Sequence, residues 1–305
     1  MPRTYFGPYD ERNQDYANEG NANLGRFRLG TRLILPDERE YTFVLNDGTV
    51  EIAGNLYQAV AAVADHTNRP VDVARAIDAL LLSATLTGTA AAVDIYAEGT
   101  AHSNDAVGEG YSYRIRRANT EGAAHASAVA SGVLTVNLDA GEMLQVALTT
   151  ASEVTFTRNR YHRVLITAAP PTALVAGVSP GVAALDRYYW SQTKGYAAVL
   201  ANLTLLAGLP VQADIAVAGA VETLKRRARS GGTTVLLPTT AALTGLRMVD
   251  QDGTSTDFMT VASVSTAVTA SYDITGPIAV NSQPVGVCVK ANASTEFALI
   301  DLDIK

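Results

Sequence analysis

The chain has a single cysteine, Cys288, among 305 residues, which excludes an internal disulfide and a cysteine-based zinc site. Within Val285-Gly286-Val287-Cys288-Val289 it reads as a small buried hydrophobe. Charge is scarce too. Charged residues make up 17% of the chain against 48% hydrophobic, a balance that fits a protein whose surface is partly covered by partners. Lysine is nearly missing: Lys194, Lys225, Lys290 and Lys305 stand against nineteen arginines. Arginine's planar fork suits fixed carboxylate pairs and interfaces, although a GC-rich genome would leave the same bias. A formal net charge of -7 gives no general attraction to nucleic acid or anionic membranes. No run of eighteen apolar residues occurs and residues 1–5 form no apolar signal segment, so no spanning helix or leader is expected.

Motifs for chemistry are equally thin. His66, His102, His125 and His162 all lie more than four residues apart, outside any metal-ligand spacing. His66, next to Asp65, reads as a local cap or hydrogen-bonding group. There is no Gly-x-Ser-x-Gly elbow and no calcium loop. Gly108 and Gly110 lack the third glycine, the following helix and the lysine of a phosphate cradle, and read as a turn feeding a strand. No cofactor, metal or catalytic group is expected. A carboxylate pair that meets only in three dimensions, as in a glycosidase, stays open.

What the chain does contain is strand pattern. Tyr188–Leu200 holds the only tryptophan, Trp190, with three tyrosines and Gly195. Read with period two, Tyr189, Ser191, Thr193, Gly195, Ala197 and Val199 form a narrow face. Tyr188, Trp190, Gln192, Lys194, Tyr196 and Leu200 form a broad one, interrupted by Ala198. Such a strand expects its narrow side to be closely covered by backbone or a second sheet. Upstream, 39–45 and 49–53 read as a hairpin around Asn46-Asp47-Gly48. Val73, Ala76, Ile77, Leu80 and Leu81 share a helical stripe, which predicts a short helix over 71–81. Residues 92–99 read as a strand. The segments 131–138, 143–149, 153–157 and 161–167 read as a four-strand series, with further strands at 209–217, 286–289 and 295–304. This spacing predicts a mainly β fold, an antiparallel sandwich or barrel-like unit or units with an extended N-terminal arm. Ala168-Ala169-Pro170-Pro171 is the best boundary. It gives an arm over 1–30, a β domain over 31–168, and a second domain or continuation over 172–305.

Candidate interface residues follow from this plan. Tyr5, Phe6, Tyr9 and Tyr16 can anchor the polar arm on a neighbour. Arg114, Arg116 and Arg117, with Tyr111 and Tyr113, suit salt bridges or a subunit contact better than a nucleic-acid backbone in an acidic chain. Tyr188 and Trp190 suit a subunit seam or a sugar. Arg226, Arg227 and Arg229 form the densest positive patch, suited to an acidic protein partner.

Several short stretches together resemble the capsid decoration, or cement, proteins of tailed bacteriophages. They are Arg39-Glu40-Tyr41 with Leu45-Asn46, Gly54-Asn55-Leu56-Tyr57-Gln58 with His66, and Tyr96-Ala97-Glu98-Gly99. Gly108-Glu109-Gly110-Tyr111, the segment from Tyr188 to Gly195 and Gly286-Val287-Cys288 complete the set. The resemblance spans roughly residues 30–305 and leaves the arm out. It implies a non-enzymatic, mainly β virion protein on the outer capsid surface, assembled in the host cytoplasm. Its implied partners are the major capsid protein and copies of itself, as a trimer. No membrane and no sequence-specific nucleic acid are expected. A tail or baseplate component, or a glycan-binding or glycan-degrading protein with an aromatic cleft, are the alternatives.

Overall fold

The computed structural model describes residues 27–47, 49–117, 123–224, 283–292 and 296–304, together with the backbone of five further strands of two or three residues. The chain first lays down β1 (Thr4–Phe6), β2 (Arg32–Ile34), β3 (Glu40–Leu45) and β4 (Leu56–Gln58). It then builds β5 (Arg69–Pro70), β6 (Leu81–Thr85), β7 (Thr100–Asp105), β8 (Ser112–Arg114), β9 (Val133–Asn137) and β10 (Glu153–Thr157). Next come β11 (Leu165–Ile166), β12 (Val175–Val178), β13 (Tyr188–Leu200), β14 (Pro210–Ala213) and β15 (Val221–Thr223). Four two-residue strands follow: β16 (Thr233–Thr234), β17 (Arg247–Met248), β18 (Met259–Thr260) and β19 (Ser271–Tyr272). The long strands β20 (Pro284–Lys290) and β21 (Phe297–Asp303) close the chain. Among the described residues the one helical element is a 3-10 turn at Ala64–His66. The fold is mainly β, as the pattern predicts.

An 11-stranded sheet runs β1-β2-β3-β13-β21-β20-β14-β15 and curls into a half-barrel, with β4, β11 and β12 attached off this path. All but one of the pairings in it are antiparallel; β1 lies parallel to β2. The excursion from β5 to β10 makes its own sheets, β5-β10-β7-β8 and β6-β9. It closes over its own core of Leu82, Tyr96, Ile115, Leu134 and Phe156. The large sheet is thus built from chain before β5 and after β10. Both strands flanking Pro170 and Pro171 pair with β4.

The strand β13 occupies the middle of the large sheet, between β3 and β21. Its narrow face is interior at Ser191, Thr193, Ala197 and Val199 and half-buried at Tyr189 and Gly195; Ala197 and Val199 join the core of Leu56, Val211, Ile300 and Leu302. Gly177 of β12 supports that face, because a Cβ on it would meet Ser191 Oγ at 2.3 Å. The broad face changes character half-way. Tyr188 and Trp190 are buried with Leu33, Tyr41, Phe43 and Leu45, whereas Lys194, Tyr196 and Ala198 face solvent. A register shift against β3 between Gln192 and Lys194 marks the change. Stacking supports the buried half: Phe43 lies parallel to Tyr188 at 5.3 Å and edge-on to Trp190 at 5.0 Å.

Four expectations are corrected. The 39–45/49–53 hairpin does not form, since β2 and β13 already occupy both edges of β3. Residues 49–53 run as coil, with the Glu51 amide bonded to the Ala183 carbonyl. The helix over 71–81 is absent. There the backbone is tied sideways by bridges of Val71 to Ala84 and Arg75 to Leu148, Asp78 is at φ +67°, and Val73 and Ile77 are exposed. Residues 93–98 are turns, not strand, with Asp94 and Glu98 at positive φ. Segment 143–149 bends past its neighbours and makes one bridge, at Leu148.

Candidate functional site

Two surface features stand out, an apolar sheet face and a cationic cavity. The face follows from register. Antiparallel partners directly opposite one another point the same way, so Lys194, Tyr196, Ala198 and Leu200 of β13 share a face with Asp303, Asp301, Leu299 and Phe297 of β21. Val287 lies opposite Asp301 and extends the face to β20. Tyr196 is 58% exposed, Phe297 51% and Val287 41%. The polar groups among them are Lys194, which reaches Glu40 at 3.5 Å, and the two aspartates.

The cavity lies where the excursion meets the large sheet. Thr100 at the head of β7 pairs with Arg114 of β8 on one side and with Thr157 of β10 on the other. Arg158 comes next in the chain, so neighbouring strands deliver Arg114 and Arg158 to one end of the sheet. Arg114, Arg158 and Arg160 line a cavity of about 430 Å³, with Thr100 and Ser112 in its wall. A second, more apolar cavity of about 320 Å³ lies behind Arg158 and Arg160, against Val60, Tyr96, Phe156 and Leu174. Arg160 is held over the Tyr161 ring at 5.6 Å and donates to the Val175 carbonyl. Burial pulls the Arg158 pKa down, with the Tyr96 hydroxyl and Asp47 opposing that shift.

Glu98 anchors the floor of the cavity. It is buried, accepts from the Leu29 amide at 2.8 Å, and faces Arg117 at 3.5 Å and Arg28 at 4.0 Å. Burial raises its pKa, against the pull of Leu29, Arg117, Arg114 and Arg28. Arg28 also pairs with Asp139 at 3.1 Å. The Glu98 cluster therefore pins the chain entering β2 onto the excursion. The sequence points to it only through the stretch Tyr96-Ala97-Glu98-Gly99, and the pairing role of Glu98 was not legible there.

A second buried carboxylate, Glu51, is fully shielded from solvent. Burial pushes its pKa up to about 8, while the Tyr189 and Ser179 hydroxyls draw it down. Those hydroxyls sit beside it without hydrogen bonds of ordinary geometry to either oxygen. Two of the histidines, His66 and His125, are held by hydrogen bonds within the fold. His66 hydrogen-bonds through Nδ1 to the Tyr96 hydroxyl and through Nε2 to the Thr89 carbonyl at 3.0 Å. Nε2 therefore carries the proton, and Nδ1 accepts from Tyr96. His125 likewise donates from Nδ1 to the Ala126 carbonyl and accepts at Nε2 from the Tyr96 amide. Among the described residues no three His, Cys, Asp or Glu side chains gather as a metal site, and no helix is long and apolar enough to cross a membrane.

No protein-family model matches this chain, nor does any curated protein or solved structure.

The candidate interface residues therefore rest on geometry alone. Tyr5 and Phe6 lie in β1, opposite Leu33 and Ile34. Arg117 is tied to Glu98 and to the Phe27 carbonyl, Arg116 donates to the Ala123 carbonyl, and Arg114 faces the cavity. Tyr188 and Trp190 are buried in the chain's own core at 6% and 1% exposure, so neither presents a surface to a partner or a sugar. Tyr9, Tyr16, Arg226, Arg227 and Arg229 lie outside the described residues.

Proposed function

We propose that this chain is a non-enzymatic structural protein that works by attachment, as a decoration or cement protein on a virus capsid lattice. The uncovered face of β13, β21 and β20 carries the reading, because the exposed Tyr196, Phe297 and Val287, one on each of three adjacent strands around Asp301, favour a protein neighbour over water. That face holds Lys194 at one end and Asp301 near its middle. A neighbour laid on it can bury the apolar groups and still set its own charges against these. The long antiparallel register of β13 with β21 suits a brace that must resist strain. The trimer, like the capsid lattice as partner, comes from the sequence resemblance.

Light scattering on the purified chain, followed by co-sedimentation with expanded capsid shells, tests both parts. A trimer that sediments with shells is expected. A monomer that ignores shells overturns the proposal. An oligomer that sediments with tails and not with shells transfers it to the tail or baseplate reading.

A further inference from the structure

Attachment through the sheet face leaves the cationic cavity without a role. Three arginines, Arg114, Arg158 and Arg160, line it against two carboxylates, Glu98 and Glu142, with the Arg28, Arg117 and Asp139 ion pairs behind Glu98. This local excess of positive charge sits in a chain of net charge -7. Two carboxylates are already committed: Glu98 to Arg28, Arg117 and the Leu29 amide, and Asp139 to Arg28. Glu142 is exposed, and solvent screens it. The arginines facing the space are less committed. Among the described residues Arg114 makes no side-chain hydrogen bond or ion pair within 4.0 Å; Arg158 is drawn on its far side to the Tyr96 hydroxyl and Asp47, and its Nε is buried without an acceptor. A partly desolvated guanidinium with an empty donor is stabilised by an oxyanion, which it can grip with two parallel bonds.

Size and lining narrow the ligand. About 430 Å³ lies within the ordinary range for small-molecule sites. A bare inorganic anion would leave most of that space to water. A flat aromatic base would want a broad apolar slot, and here the wall includes the hydroxyls of Thr100 and Ser112 beside the Tyr161 ring.

We infer that this cavity binds an anionic sugar, a hydroxyl-bearing ring that carries one carboxylate or phosphate. The oxyanion lies between Arg114 and Arg158, and the ring hydroxyls meet Thr100 and Ser112. Arg160 is a positioning residue, fixed between Tyr161 and the Val175 carbonyl.

Titration calorimetry on the full chain with glucuronic acid, glucose 6-phosphate, glucose and inorganic phosphate tests this. At least one of the two anionic sugars is expected to bind, at least about tenfold more tightly than glucose and than inorganic phosphate. Which of them binds tells a carboxylate from a phosphate source. Arg158→Gln and Arg114→Gln are each expected to weaken that binding about tenfold or more, and Arg69→Gln, outside the cavity, to leave it unchanged. Arg114→Gln keeps the test interpretable if Arg158→Gln perturbs folding, because the Arg114 guanidinium bonds to nothing in the described chain. Failure of both anionic sugars to bind at millimolar concentration overturns the inference. So does inorganic phosphate or glucose binding as tightly as the better of the two anionic sugars, or unchanged binding by folded Arg114→Gln.

Discussion

Gly286 of β20 lies so close to Asp301 of β21 that a Cβ on it would stand 2.1 Å from the Asp301 carbonyl oxygen and 2.9 Å from the carbonyl carbon. Its φ of +158° is also one that side-chain-bearing residues rarely adopt. The obstacle is backbone in the middle of a sheet, so it cannot swing aside. Gly286→Ala is expected to cost about 3 kcal/mol or more. Gly195 of β13 is a contrasting case. A Cβ there would meet the Arg39 Cγ at 2.8 Å, at φ +80°, so the substitution meets backbone strain and a side-chain contact but no opposing carbonyl. Gly195→Ala is expected to cost about 1–3 kcal/mol, and Lys194→Ala almost nothing, since Lys194 is a half-exposed partner of Glu40. Urea unfolding followed by Trp190 fluorescence ranks the three. Equal midpoints for Gly286→Ala and Gly195→Ala would refute the close-packing argument.

Stability should depend on pH through two buried groups of opposite sense. Glu51 has its pKa raised from 4.5 to about 8, so its contribution is complete below pH 4.5 and is lost as pH rises through 8. For His162 burial, aided by Arg163 and Arg158, lowers the pKa from 6.5 to about 3; its contribution is complete above 6.5 and is lost as pH falls through 3. The two slopes oppose each other between 4.5 and 6.5. Above that window Glu51 acts without opposition from His162, at ~1.4 kcal/mol per pH unit. Glu51→Gln keeps the shape and removes the charge. The variant should match the native chain near pH 5 and exceed it in mild alkali. A urea-midpoint series across pH decides, and parallel curves for the two proteins would reject the assignment.

The legible parts of the fold were those where period two coincided with long pairing. Tyr188–Leu200 is the strand its pattern predicts because β3 pairs it from Tyr188 to Lys194 and β21 from Lys194 to Leu200, and its small residues Ala197 and Val199 join the core. The closing strands held for the same reason. The helix over 71–81 failed because its apolar stripe is not a buried face: Val73, Ile77 and Leu80 are exposed, and the backbone bonds go to other segments. Periodicity reports which residues could share a face, but not whether anything covers it. The cavity was illegible on different grounds. Arg114 and Arg158 line one cavity because β8, which carries the first, and β10, which leads into the second, both flank β7, a pairing that no local pattern encodes.

Trp190 offers a direct check on the aromatic core. It is 1% exposed, with Phe43 at 5.0 Å and Phe27 at 5.2 Å. As the only tryptophan it reports this site alone. Emission should be blue-shifted and resist quenching by iodide until the chain unfolds, and it should not change when any oligomer is diluted. Trp190→Ala is expected to cost about 3–5 kcal/mol, with Trp190→Phe clearly milder. Strong iodide quenching of the folded chain would place Trp190 on a surface and restore it as a contact or sugar-stacking residue.

The sheet face makes the attachment reading testable without disturbing the fold. Tyr196 and Val287 both stand opposite Asp301, one from each neighbouring strand. Replacing either with lysine puts a cation beside that carboxylate, a cross-strand arrangement that stabilises by roughly 0.2–1 kcal/mol. The fold should therefore survive with its thermal midpoint nearly unchanged. A neighbour packed on the face would have to desolvate the new ammonium together with Asp301, and their pairing repays that cost only in part. Tyr196→Lys and Val287→Lys are thus expected to shift the light-scattering mass towards monomer and to abolish shell binding, while Val73→Lys, at an exposed apolar position off this face, leaves both intact. If the Tyr196 and Val287 variants associate as the native chain does, the face is not the attachment surface, and the exposed apolar residues of the excursion become the next candidates.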